Sequence, residues 1–229
     1  METIPTINCQ DFSCISHKFL DASSFLRKNG WVHIDVSDAR FTYGRTWGDP
    51  VELKKLLEAH PEFRFNTEVH LMVEEPEKQV RDWLESGVKR VIVHIEAILD
   101  TRFRKESSDP RKIIKEIFDE AARYGAQVVL ASNTETPVGV MQPYLDGFHG
   151  FQVLAVRPGP SGQKFLPIVL EKIKFLRHTK PDAIIEVDGG INLEIGKLVK
   201  SAGANVLAAG SYIFENKNKK RAYETLLAL

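Results

Sequence analysis

The chain of 229 residues has only two cysteines and no excess of charge, with Lys+Arg and Asp+Glu at 31 each. Cys9 and Cys14 are too few for a disulfide scaffold or a Cys-based zinc site, so reduced, incidental thiols are expected. A net charge of zero removes the broad basic surface on which non-specific binding to nucleic acid or an anionic membrane relies. No window approaches the roughly 18 uninterrupted apolar residues of a membrane span, and the start lacks a basic segment followed by an apolar one. The expectation is a cytoplasmic protein. No low-complexity tract or Pro/Gly/Ser linker divides the chain, and no glycine-rich fingerprint follows the first strand candidate, which weakens the case for a doubly wound open sheet.

With 43% hydrophobic residues the chain can bury a core. Its apolar residues alternate between short Val/Ile/Leu runs and stretches recurring every three or four positions, the pattern of βα units. Strands are expected over 6–9, 31–36, 68–73, 90–94, 127–131, 151–156, 184–187 and 206–209. Helical faces are expected at Ile113, Ile114, Ile117, Phe118, Ala121 and Ala122, and at Phe165, Val169, Ile173 and Leu176. Several strands are apolar throughout, which suits parallel strands covered by helices. Eight strands in this length imply a single (β/α)8 barrel domain over 1–229, with 100–110 as a surface loop.

Barrel enzymes place their chemistry where strands end. Strand two brings His33 and Asp35 to one face, with Asp38 at the loop mouth; strand three brings His70 and strand seven Asp188. A lone strand histidine is more often a hydrogen-bonded core residue than a ligand. Four such groups directed into an apolar barrel are costly unless they share a purpose, so His33, Asp35, His70 and Asp188 form a candidate metal site. The nitrogen and oxygen donors suit Zn2+, Fe2+, Mn2+ or Co2+, and spacing alone does not choose among them. Glycines follow strands six, seven and eight: Gly159, Gly162, Gly189, Gly190 and Gly210, the last beside Ser211. Each alone is more often a turn requirement, but three adjacent loops together predict a phosphate cradle. His94 and Glu96 could line the cavity or act structurally. The basic run Lys217, Lys219, Lys220 and Arg221 reads as a solvated helix start.

The segments WVHIDVSD (31–38), VHLMV (69–73), NTETP (133–137), VRPGPSGQ (156–163), VDGG (187–190) and AGSYIF (209–214) resemble, in order and spacing, those of the ribulose-phosphate 3-epimerase family. The resemblance covers nearly the whole chain. It implies a TIM barrel, His33, Asp35, His70 and Asp188 as ligands of a divalent metal, and Asp35 and Asp188 as the acid/base pair. Thr6, His70 and Met72 would then face the sugar, and the late glycine loops its phosphate. The implied activity is inversion of C3 of a ketose phosphate, D-ribulose 5-phosphate to D-xylulose 5-phosphate. The implied partner is a small phosphorylated sugar, in a chain that could form a homo-oligomer. Departures from the pattern are Thr6 for serine, Ser37 and Leu154 for methionine, and the rewritten loop ARFTYGRTW (39–47). They keep open a six-carbon ketose phosphate as substrate, or a sugar-phosphate sensor without turnover. A decarboxylase or aldolase of the related hexulose-phosphate barrels would need a lysine that the ends of strands two and three lack.

Overall fold

A computed structural model describes residues 1–104, 109–157 and 162–229. Its strands are β1 (Glu2–Ile7), β2 (Trp31–Ser37), β3 (Asn66–Met72), β4 (Arg90–His94), β5 (Gln127–Ser132), β6 (Gly150–Leu154), β7 (Ile184–Asp188) and β8 (Val206–Ala209). All pair in parallel with their sequence neighbours, and β1 pairs with β8, which closes the barrel. The helices are α1 (Phe12–Ser23), α2 (Pro50–Ala59), α3 (Val80–Glu85), α4 (Ile95–Leu99), α5 (Pro110–Arg123), α6 (Val138–Met141), α7 (Val169–Thr179), α8 (Leu193–Ala202), α9 (Ser211–Phe214) and α10 (Lys219–Leu227). None is long and apolar enough to cross a membrane.

Local chemistry sets the helix starts. Asp49 and Asp109 each cap a first turn with a side-chain oxygen, and Pro50 and Pro110 follow at the position where a missing N–H costs nothing. The core lies between strands and helices. In α5, Ile113, Ile114, Ile117 and Ala121 are buried on the expected face, whereas Ala122 is exposed. In α7, Val169, Ile173 and Leu176 are buried, and Phe165 packs from the segment before the helix. Segment 100–110 holds a 3-10 turn at Thr101–Phe103.

Three expectations are corrected. Strand one runs from Glu2 to Ile7 and not from Thr6 to Cys9: Glu2 to Pro5 pair with β8, and Thr6 and Ile7 with β2. Strand six ends at Leu154, where Ala155 turns to donate its N–H to the Asp188 carbonyl. Cys9 and Cys14 are not separate thiols but a disulfide. Asp11 caps α1 by accepting from the Cys14 N–H, and the turn through that cap brings the cysteine Cα atoms to 5.8 Å, within disulfide reach.

Candidate active site

Strand register brings the four predicted donors together. Asp35 lies opposite His70 across the β2–β3 pairing, and β7 carries Asp188 to the same end of the barrel. One ligand atom from each of His33, Asp35, His70 and Asp188 falls within 4.8 Å of the others, and all four residues are buried. Asp35 Oδ1 is 3.3 Å from His33 Nε2 and 3.0 Å from His70 Nδ1; Asp188 Oδ2 is 3.8 Å from His70 Nδ1. Asn8 donates to the other Asp35 oxygen at 3.1 Å.

Each imidazole is held from behind by a different chain of partners. His33 Nδ1 donates to Glu68 at 2.8 Å, and Glu68 in turn accepts from Arg90 at 2.6 Å. Arg90 also donates to Gln127 and lies 4.0 Å over the Trp31 ring. Glu186 completes this layer, accepting from Gln152. His70 Nε2 is 2.7 Å from His94 Nε2, and His94 Nδ1 is 3.0 Å from Glu96. The carboxylate fixes the proton order: His94 Nδ1–H donates to Glu96, His94 Nε2 accepts from His70 Nε2–H, and the His70 Nδ1 lone pair is left facing the aspartates. Glu96 is itself held by the Asn133 N–H and the Thr136 hydroxyl. His94 and Glu96, open between a cavity-lining and a structural role in the sequence, are therefore the support of His70.

The two aspartates differ in charge. Burial disfavours ionisation of Asp35, but the hydrogen bond from His33 and the charge on that imidazole outweigh it and hold the carboxyl well below the usual range. Burial and then the Asp35 charge push Asp188 well above it. For His33, burial is overcome by hydrogen bonds to Asp35, Glu186 and Glu68, and its pKa is raised. Burial takes His70 down to about 4. Two imidazole nitrogens and two carboxylate oxygens this close, with Glu68 accepting from the His33 Nδ1–H so that Nε2 faces the cluster, fit a divalent ion of borderline hardness. The alternative trio of His33, Glu68 and Glu186 also lies within bonding reach, but Arg90 already neutralises Glu68.

A cavity of about 160 Å³ opens above the cluster. Asp35 and Asp188 line it together with Thr6, Met72, Gly162, Gly189, Gly190, Gly210 and Ser211, whereas His33 and His70 are fully buried beneath. The Thr6 hydroxyl is buried with no hydrogen-bond partner among the described residues. Gly159 lies outside the described residues. Gly189 and Gly190 have φ of +103° and +67°, and a Cβ on either would come within 2.6 Å of Val156 or Phe165, so the backbone alone requires glycine at both. Arg157 is exposed and pairs with Glu135 at 3.4 Å.

The rewritten loop has its own anchors. The Ser37 hydroxyl donates to the Gly44 carbonyl, and Asp38 accepts from the N–H groups of Arg40, Phe41 and Glu74, so Asp38 shapes the loop. The loop seats the Phe41 ring 4.7 Å from His94 and 4.8 Å from Phe103. Sequence reasoning missed Asn8, Glu68, Arg90 and Glu186. Glu68 and Glu186 stand two residues before His70 and Asp188, and side-chain alternation puts them on the same inward face.

A closed barrel with acid and imidazole groups converging at the C-terminal strand ends is the arrangement of a (β/α)8-barrel enzyme. Comparison with known proteins narrows this. Residues 5–214 match the ribulose-phosphate 3 epimerase family. Ribulose-phosphate 3-epimerase of Bacillus subtilis is 33% identical over 97% of this chain and 96% of its own. That of Candida glabrata is 34% identical over 92% and 84%, and that of Schizosaccharomyces pombe 32% over 86% and 80%. In fold, the chain superposes on 3-keto-L-gulonate-6-phosphate decarboxylase from Vibrio cholerae with a TM-score of 0.69 at 15% identity, covering 100% of this chain and 95% of the other. For 3-hexulose-6-phosphate synthase from Salmonella typhimurium the values are 0.65, 15%, 99% and 96%. The chain belongs to the ribulose-phosphate 3-epimerase family and is an isomerase of the epimerase kind.

Proposed function

We propose that this chain interconverts D-ribulose 5-phosphate and D-xylulose 5-phosphate by inverting C3. The observation that carries this reading is the pair of aspartates, from β2 and β7, lining one cavity above two buried imidazoles. Inversion requires a proton to leave one face of a carbon and another to arrive on the opposite face. Asp35 and Asp188 reach the cavity from different strands, so one can accept the C3 proton while the other delivers one, and the roles exchange in reverse. Asn8 and His33 hold Asp35 in place, and Met72, Leu154 and Val156 supply an apolar wall beside the reacting carbon.

His33, Asp35, His70 and Asp188 would hold a divalent ion, Zn2+, Fe2+, Mn2+ or Co2+, which when bound supplies Lewis-acid stabilisation of the negative charge that develops on the sugar oxygens. Thr6, with its unpartnered hydroxyl, faces the sugar, and the loops carrying Gly159, Gly162, Gly189, Gly190, Gly210 and Ser211 receive the phosphate. The test is turnover of D-ribulose 5-phosphate by protein stripped with a chelator and then reloaded with each ion. Activity lost on stripping and regained on reloading supports the reading. Full activity in demonstrably metal-free protein, or no turnover in any state, contradicts it. A six-carbon ketose phosphate run in parallel tests whether the Phe41 loop has changed the sugar.

A further inference from the structure

The cavity is lined by a cation, Lys18, that the short motif segments carrying the resemblance do not contain. Lys18 lies on α1, and its side chain lines the same cavity as Gly189, Gly190, Gly210 and Ser211. It is half-buried, and burial lowers its pKa. No carboxylate stands within 4 Å of it among the described residues. Its recorded contact is the Phe214 ring, whose centroid is 5.1 Å from Nζ. Glu215, Asp35 and Asp21 act on it only at longer range, opposed by Lys219, and Asp21 is already engaged by Lys219.

Three other cations around the barrel mouth are committed. Arg157 pairs with Glu135, Arg40 with Glu74, and the buried Lys172 ammonium donates to the Ser132 hydroxyl and the Asn133 carbonyl. A half-buried ammonium without a close counter-ion is costly, and an anion entering its cavity recovers that cost. The position also suits the ligand. A ketose phosphate has one end to present to Asp35 and Asp188, and its dianionic other end needs positive charge; among the described residues, Gly189, Gly190 and Gly210 offer backbone dipoles and Ser211 a hydroxyl, none of them a full charge.

We propose that Lys18 is a specificity-determining residue, the cation that meets the substrate phosphate in the glycine-lined end of the cavity. This rests on the ketose-phosphate reading above. The contact is made before and during reaction alike, so it acts on binding more than on turnover. It also makes this chain's phosphate affinity more salt-sensitive than a cradle of backbone N–H groups alone.

The test compares wild-type protein with Lys18→Met, which keeps the side-chain length without the charge, and Lys18→Arg, which keeps the charge. Calorimetric titration with inorganic phosphate reads the site without turnover, and steady-state kinetics with D-ribulose 5-phosphate read KM and kcat separately. Thermal melts establish that each variant folds. Lys18→Met should weaken phosphate binding and raise KM by about tenfold or more, the scale of a charge-assisted hydrogen bond. Its kcat should change far less, Lys18→Arg should recover most of the loss, and added salt should narrow the gap. A folded Lys18→Met with unchanged phosphate affinity and KM overturns the proposal, as does a wild-type chain that binds no phosphate. Phosphate binding that depends on Lys18 in a protein that turns over no ketose phosphate leaves the lysine assignment standing and removes the reaction instead.

Discussion

Along the arc from β2 to β4, the groups under the cavity are fixed by side-chain hydrogen bonds. Asp35 has Asn8, His33 and His70 as partners, and the two imidazoles are braced by Glu68 with Arg90 and by His94 with Glu96. Along the arc from β6 to β8, the cavity wall is largely backbone and small residues: Gly189, Gly190, Ala208, Gly210 and Ser211. Asp188 stands in this second arc with His70 at 3.8 Å as its recorded polar neighbour. The contrast explains why two aspartates in one cavity hold different charge. The wired arc stabilises the Asp35 carboxylate, and the sparse arc leaves Asp188 to burial and to the repulsion of Asp35. Chemistry is placed on rigid strands with supported side chains, and anion recognition is left to loops whose backbone can approach a ligand.

The largest way to break this division is Asp188→Asn. The amide keeps the shape but neither gives nor takes the proton, so turnover of D-ribulose 5-phosphate should fall by roughly 100-fold or more, measured by steady-state kinetics. Near-normal turnover would remove Asp188 from the acid/base pair. Next in size is Glu96→Gln, which loosens the wired arc without touching a donor atom of the cluster. With the proton order of the His94–His70 pair no longer set by a carboxylate, affinity for Zn2+ or Mn2+ should weaken by about tenfold, as read by competition with a chelating dye. An unchanged affinity would mean that His94 packs against His70 without orienting it.

The backbone arc is tested by Gly210→Val. A Cβ there would sit 3.1 Å from the Thr6 carbonyl, so the branched side chain must project toward the cavity and crowd β1. KM for the phosphorylated sugar should rise more than kcat falls, with a melt to confirm folding. The opposite pattern, kcat lost at constant KM, would place Gly210 near the reacting carbon instead.

Much of the fold is legible in the sequence because strand and helix differ in period. All eight strands are found, with edges of β1, β3 and β6 displaced, and both helical faces are found apart from Ala122, which is exposed, and Phe165, which precedes its helix. The four clustered donors are readable because the last residues of parallel strands must converge at one barrel mouth. Their supports are less so. Arg90 opens β4, 22 residues from Glu68, and only the β3–β4 register places the two side by side. The Cys9–Cys14 bond is hidden for a similar reason, since it depends on how the Asp11 cap turns the chain. Lys18 lies on α1, where no sequence motif marks it, and its reach into the cavity emerges only from the fold.

The smallest effect concerns pH. Burial lowers His70 to about 4, below its ordinary 6.5, so between these values the unfolded chain binds more protons than the folded one and stability rises with pH. In chelator-treated protein, wild type should therefore lose stability relative to His70→Asn as pH falls from 6.5 toward 4, followed by urea unfolding at each pH. Parallel curves for the two proteins would contradict a neutral, buried His70.

Proton traffic at C3 tests the two-aspartate account most directly. With D-ribulose 5-phosphate in D2O and NMR detection, the account predicts D-xylulose 5-phosphate carrying deuterium at C3, because the proton removed on one face and the proton delivered on the other come from different carboxyl groups. Epimer formed with the original C3 hydrogen retained would contradict it.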